Sequence, residues 1–532
     1  MLIQNWLSCC VEQHPKCKPT TVARKLPKRL LHVCSFDDSD DIRLVESETI
    51  LDKAEYVALS HCWGPPEKQP LRTTRCTLVD RQQRIRFVDL PLTFQDAVKI
   101  CRNINQQFLW IDSLCIVQDD SDDWAEQASE MASIYGCSYV TLAALSSEDG
   151  TQGCRIRQRP RYKGILSHYQ DFDIDTYCIR CFDSWPASWQ YEYGDGVYRS
   201  EDFGTNPLRK RAWTLQEREL PVRSVHFSQG QLLWQCRTMR GSSELPWTTT
   251  EEEDDDDSPP ALVIYRDQEE YHDLEFKAYQ RNRWFQLIED YSSRHLTKEM
   301  DRLPALAGLA DDFAQMHQDG DCEYLAGIWS SHLPSALLWN SVASRPRRPQ
   351  AYRAPSWSWA SLEGASSYDS QRLSNERLQD QSESGFPFKV ISWDCPPIEA
   401  FQSLNNSFRA VLRVRGSLAK LRIGLQLTED KGSNTLHRLS GEDGETMGVF
   451  FPDCPEDLTG LDVVYVLSID FDLYTGLIPC PIELDWESRT FCSIGLALLR
   501  DEPADTYRRV GLARWLLKKA YEATTPVELD IV

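Results

Sequence analysis

The chain is short of positive charge. Its 58 lysines and arginines face 81 aspartates and glutamates, which leaves a formal net charge of −23. A general nucleic-acid binder needs a basic face to displace counterions, so no nucleic-acid partner is expected. No run approaches the ~20 apolar residues of a membrane-spanning helix, so no membrane span is expected either. Met1 to Cys10 holds only a brief apolar stretch with no basic segment before it, and does not read as a secretory signal. A G-x-S-x-G elbow, a Walker A loop and a complete G-x-G-x-x-G fingerprint are all missing. No repeat of solenoid or propeller period is present. Cysteine is not scarce, at 18 residues, but it lacks the dense, even spacing of a disulfide scaffold. Reduced thiols and a cytoplasmic location are the expectation.

What is present is enough for a large core. The chain has 532 residues, 41% of them hydrophobic and 26% charged, which is ordinary for two or three globular domains. Seventeen tryptophans point to an aromatic-rich interior. The clearest boundary is the acidic low-complexity stretch 248–262, with Glu251 to Asp257 followed by Ser258-Pro259-Pro260. It separates an N-terminal extension (1–52) and an α/β domain (53–240, core motifs 56–217) from a C-terminal region (263–532). That last region reads as helical from about Tyr271 to Met316 and as β-rich from Phe408 onward. Trp357 and Trp359 alternate as if on one strand face.

Within the α/β domain, Tyr56–Ser60 is a short apolar run stopped by Gly64-Pro65-Pro66, and reads as a buried strand. Thr93 and Asp96 have capping-box spacing at the start of a helix. Phe108–Ile111 is a second strand. Asp122 and Asp123 suit the start of another helix, with Trp124, Ala128, Met131 and Tyr135 as its buried stripe. Tyr139–Ala144 is a third strand. This alternation predicts a parallel sheet, whose ligands bind beyond the strand carboxyl ends. Arg223–Phe227 and Leu232–Cys236 predict a hairpin.

Ser60, Trp63, Gly64, Asp112 and Cys115 all fall at or just past strand ends, and are candidate ligand-binding residues. Arg211, Trp213 and Glu217 lie on a short predicted helix, where Trp213 and Glu217 share a face one turn apart. Glu217 either acts on a ligand or pairs with Arg211 or Arg218. Asp112 either binds ligand or caps the amides of 113–115. His61 and Cys62 are adjacent, so on a strand they point to opposite faces and make a poor nucleophilic pair. Cys10, His14 and Cys17, with Cys9 or Cys34 as a fourth ligand, resemble a zinc set. The irregular spacing favours a packed N-terminal helix instead, and no metal is expected.

Taken in order, Tyr56–Gly64, Leu90–Arg102, Phe108–Trp124, Met131–Ala144 and Arg211–Glu217 resemble the fungal heterokaryon incompatibility (HET) domain. His61 stands where that family more often has tyrosine. Trp6-Leu7 with Cys10, His14 and Cys17, then Tyr291–Arg294, Asp301–Gly308 and Ala354–Ala360, resemble the flanking parts of longer members. The resemblance implies nonself recognition and programmed cell death after fusion of incompatible fungal cells. It also implies a remote similarity to Toll/interleukin-1 receptor (TIR) domains, which are flavodoxin-like. Many of those cleave NAD with a glutamate four residues after a tryptophan, which is the spacing of Trp213 and Glu217. The implied reading is a domain with no permanently bound cofactor and NAD as substrate, with Glu217 catalytic. The alternatives are a non-enzymatic signalling module, working through a homo-oligomer or an incompatibility partner protein, and an enzyme of small-molecule metabolism on the same scaffold.

Overall fold

The computed structural model describes residues 2–18, 26–50, 54–154, 206–229, 231–243, 248–249, 273–316, 322–343, 345–368, 388–397, 409–427, 436–472 and 492–532. Most of the acidic stretch 248–262 lies outside these residues. The chain divides into two compact units, Met1–Val263 and Ile264–Val532. No described helix is long and apolar enough to cross a membrane.

The first unit opens on α1 (Leu2–Gln13), which buries Trp6, Leu7 and Cys10. Next come β1 (Arg29–His32), β2 (Arg43–Glu46) and β3 (Tyr56–Ser60). Helices α2 (Leu78–Gln83) and α3 (Leu92–Asn103) lead to β4 (Phe108–Trp110). The chain continues through α4 (Asp112–Cys115), α5 (Ser121–Ser129), α6 (Met131–Gly136) and β5 (Val140–Ala143). After α7 (Thr214–Glu219) come β6 (Arg223–Phe227), β7 (Leu232–Cys236), β8 (Met239–Ser242) and β9 (Thr248–Thr249).

All nine strands form one sheet in the order β2-β1-β4-β3-β5-β6-β7-β8-β9. The centre, β4-β3-β5-β6, is parallel, with Val57 opposite Leu109 on one side and Val140 on the other. Every residue of β3, β5 and β6 is buried, as expected of strands covered on both faces. The predicted parallel sheet is therefore present, flanked by antiparallel strands. Those on the N-terminal side were not foreseen. Instead of being helical only, the N-terminal extension supplies β1 and β2, and β1 runs antiparallel along β4.

Two predicted helix starts are displaced, each by a distant partner. Helix α3 begins at Leu92, behind Pro91. Thr93 and Asp96 form no capping box. The Thr93 hydroxyl donates to Gly150 O (3.1 Å), and Asp96 accepts from Cys154 N (3.0 Å), so both hold the segment after β5. Helix α5 is capped by Asp120, whose carboxylate accepts from the amides of Asp122 and Asp123. Asp123 turns inward to Arg29 of β1, and its Oδ2 also accepts from Val117 N (2.8 Å). The buried stripe of α5 is thus Asp123 and Gln127, not Trp124 and Ala128, and Met131 and Tyr135 belong to the separate α6.

The second unit starts with α8 (Asp273–Ser292) and α9 (Pro304–Met316). Two short pairs follow, β10 (Tyr324–Leu325) with β11 (Ile328–Trp329), and β12 (Trp339–Ser341) with β13 (Ser366–Tyr368). Trp329, Trp357 and Trp359 are buried as expected. Trp357 and Trp359 do not lie on a strand, however. Ser358 caps a 3-10 turn, Trp359–Ser361, and the Trp359 indole donates to Gly327 O (2.9 Å). The remaining strands are β14 (Lys389–Asp394), β15 (Val411–Gly416), β16 (Leu418–Leu427), β17 (Leu436–Ser440) and β18 (Thr446–Pro452). They are joined by β19 (Val463–Asp472), β20 (Cys492–Asp501), β21 (Thr506–Leu517) and β22 (Val527–Ile531). The pairing of β20 with β21 closes β16-β17-β18-β21-β20-β19 into an antiparallel barrel.

Candidate functional site

The site grows from the carboxyl end of β3. In chain order the four parallel strands are second, first, third and fourth across the sheet, so the connections leave β3 in opposite directions. Open α/β sheets bind ligands outside such a switch point. Ser60, the last residue of β3, donates its hydroxyl to Glu217 of α7, a buried contact between residues 157 positions apart. The Tyr135 hydroxyl, from α6, donates to Leu59 O (3.3 Å) and also interacts with Glu217.

Glu217 is 7% exposed. Burial pushes its carboxyl up to about 7. The Arg211 charge and the Ser60 and Tyr135 hydroxyls offset only part of that, and the nearby Asp112 adds to it. A carboxyl brought to neutrality by its surroundings is a mark of functional sites, because both of its protonation states are populated at working pH.

A second group adjoins it. The Trp63 indole donates to Asp112 Oδ2 (2.7 Å), which fixes a partly exposed aromatic plate against a partly exposed carboxylate. Of the amides 113–115 that it could cap, Asp112 accepts only from Ser113 N (2.6 Å), and those of Leu114 and Cys115 donate to Ile111 O. His61 Nδ1 lies 3.7 Å from Asp112 Oδ1. Its ring meets Phe94 edge-on at 4.9 Å, and its Nε2 is buried without a hydrogen-bond partner among the described residues. Burial lowers the pKa of His61, against the pull of the nearby Asp112 carboxylate. Arg211 Nη1 donates to His61 O (2.7 Å) and ties the segment before α7 to the loop after β3.

Gly64 is required where it stands. Its φ is +78°, and a Cβ there would lie 2.6 Å from Asp149 Cβ, so the loops after β3 and β5 touch at this glycine.

The structure thus brings together Ser60, Trp63, Gly64, Asp112, Arg211 and Glu217. Trp213 occupies the cap position just before α7 and is partly exposed. Cys115 lies apart. It is fully buried in the core, where burial pushes its thiol up to about 12. The Cys62 thiol is raised to about 11 for the same reason. Neither is primed as a nucleophile. Tyr135 was read only as core, because nothing local distinguishes its hydroxyl from that of any helical tyrosine. His61 was weighed as a partner for cysteine and not kept among the candidate ligand-binding residues, although its place one residue past Ser60 was the available signal.

No match was found among curated proteins or among solved structures. Residues 56–217, the span that runs from the start of β3 to Glu217 and holds the whole cluster, match the family model described as heterokaryon incompatibility protein (HET).

Proposed function

We propose that this protein acts in heterokaryon incompatibility, and that its output is the hydrolysis of NAD at Glu217, leading to cell death. The observation that carries this reading is the buried Glu217 carboxyl, raised to about 7 beside Ser60 at the switch point of the sheet. The parallel strand order supports the analogy, since flavodoxin-like sheets, the class to which TIR domains belong, share it for their first four strands. In the reaction, the nicotinamide–C1′ bond breaks and its electron pair goes to the pyridine nitrogen. Water then adds to C1′ and gives up a proton. The Glu217 carboxylate stabilises the developing ribosyl cation, Ser60 orients it, and the Trp63 ring held by Asp112 offers a stacking surface.

The working form is the carboxylate. The rate is therefore expected to rise with pH through about 7 and level off above it. The test is to incubate the purified full chain with NAD and follow nicotinamide by chromatography. Loss of one such charge-stabilising group commonly costs about 100–1,000-fold, so Glu217→Gln should abolish release and also cell killing on overexpression. Equal killing by a folded Glu217→Gln variant would refute the catalytic role.

A second reading has its own support in the burial and hydrogen bonding of Glu217. Here the domain is a non-enzymatic module that signals by assembly, with itself or with an incompatibility partner. Killing without nicotinamide release would put this reading first.

A further inference from the structure

The sequence offers Cys10, His14 and Cys17 with no convincing fourth ligand, and the fold supplies one from far along the chain. Cys10 lies in the last turns of α1, His14 just beyond its end, and Cys17 closes the 3-10 turn Pro15–Cys17. Cys236 is the last residue of β7. All four side chains are buried, and their ligand atoms lie within 4.8 Å of one another. A tetrahedral zinc ion with bonds of about 2.3 Å to sulfur and 2.0–2.1 Å to nitrogen holds its ligand atoms roughly 3.5–3.8 Å apart. The His14 Nδ1 to Cys236 Sγ distance is already 3.4 Å. Slight contraction of the other edges would complete the tetrahedron.

We propose that Cys10, His14, Cys17 and Cys236 bind a structural zinc ion. The surrounding groups fit thiolate ligands. The Met239 amide donates to Cys236 Sγ (3.2 Å), and Arg223 Nε donates to Cys10 Sγ (3.1 Å). A second nitrogen of Arg223 holds Cys17 O (2.9 Å), and Thr238 Oγ1 is 3.6 Å from Cys17 Sγ. Donors and a cation aimed at sulfur stabilise thiolates and orient them, as outer partners of metal sites do. Three thiolates and one imidazole bring a charge of −3 to Zn²⁺, and Arg223 balances the residual −1. Four protein ligands leave no open position, so the site is structural and not catalytic. Softness points the same way, since a thiolate-rich tetrahedral set selects zinc over magnesium or calcium. The ion would fasten α1 to the β7–β8 hairpin, next to the stacked pair Trp6 and Trp234, whose ring centroids are 5.8 Å apart.

The test is metal analysis of the untagged full chain after exhaustive dialysis, with cobalt(II) substitution alongside. About one zinc per chain is expected, and the cobalt form should show the intense visible bands of tetrahedral thiolate coordination. Cys236→Ser should lose the metal, while Cys9→Ser and Cys34→Ser should keep it. Metal-free wild-type protein without a tetrahedral cobalt spectrum would overturn the proposal. So would a Cys10–Cys17 disulfide seen by mass spectrometry after thiol blocking, or full zinc in Cys236→Ser. If Cys236→Ser does not fold, the wild-type zinc content and cobalt spectrum decide the matter alone.

Discussion

Asp123 and Glu217 are both buried carboxyls of the N-terminal unit, and their surroundings drive them in opposite directions. Burial works to raise both. At Asp123 it is overcome by Arg29, the Val117 amide and Lys28, which hold the group down to about 2. At Glu217 burial wins, and the carboxyl rises to about 7. The first region spends its buried charge on fastening β1 to the start of α5. The second keeps a proton that can come and go near neutral pH. Glu217 lies deeper than Asp123, and fewer cations and amides replace the water it loses.

The sharpest way to break the comparison is to remove the cation from the paired region. Arg29→Met should leave Asp123 only Lys28 and the Val117 amide, and cost up to roughly 3–5 kcal/mol in urea unfolding. The folded pKa of Asp123 lies below the ordinary carboxylate value. Its contribution is therefore full above pH ~4 and lost as pH falls through about 2. A loss below 1 kcal/mol at neutral pH would show that the pair is not what holds β1.

A packing change in the C-terminal unit gives a reference that carries no charge. Trp359→Ala should also cost roughly 3–5 kcal/mol, but equally at pH 5 and pH 8. If its cost varies with pH, the variation at the carboxyls cannot be assigned to them.

Glu217→Gln should have the opposite sign to Arg29→Met. The folded pKa of about 7 exceeds the ordinary carboxyl value of 4.5, so the folded state holds the proton more tightly. The penalty for ionising Glu217 is absent below about 4.5, grows between 4.5 and 7, and is constant above 7. Glu217→Gln should stabilise the protein by up to about 3 kcal/mol at pH 8 and by little at pH 4. Equal effects at the two pH values in thermal melts would end the claim of a strained carboxyl.

The smallest effect is expected where the loops after β3 and β5 touch. Gly64→Ala meets both a positive φ and the Asp149 side chain, and should cost about 1–3 kcal/mol. A neutral result would show that the loops after β3 and β5 can separate freely.

What the sequence disclosed was local. The run Tyr56–Ser60 reads as a buried strand because all five residues face an interior, and its bounds are reproduced. The β6–β7 hairpin is reproduced too, with the bounds expected of both strands. The failures share one cause. Asp123 resembles a solvent-facing residue of a first helical turn until Arg29, 94 positions away, is brought beside it. Asp96 resembles a capping-box acid until Cys154 arrives. Trp357 and Trp359 alternate as a strand would, but Ser358, which donates to the distant Ala326 O, caps a turn that begins at Trp359. For the site, the Trp-x3-Glu spacing drew attention to Glu217. Its closest partner, Ser60, was known only as a strand-end residue until the sheet set the two together.

The antiparallel seam between β1 and β4 bears on how this domain can be handled in isolation. The family-matched span begins at Tyr56 and stops at Glu217. Cutting the chain there would remove β1 from one side of the parallel core and β6 from the other. Two largely apolar strands, β4 and β5, would become open edges, ready to recruit a strand from another molecule. The same cut would take Arg29 away from Asp123. An excised 56–217 fragment is therefore expected to aggregate, and a fragment able to fold must reach back before Arg29 and forward past the β6–β7 hairpin.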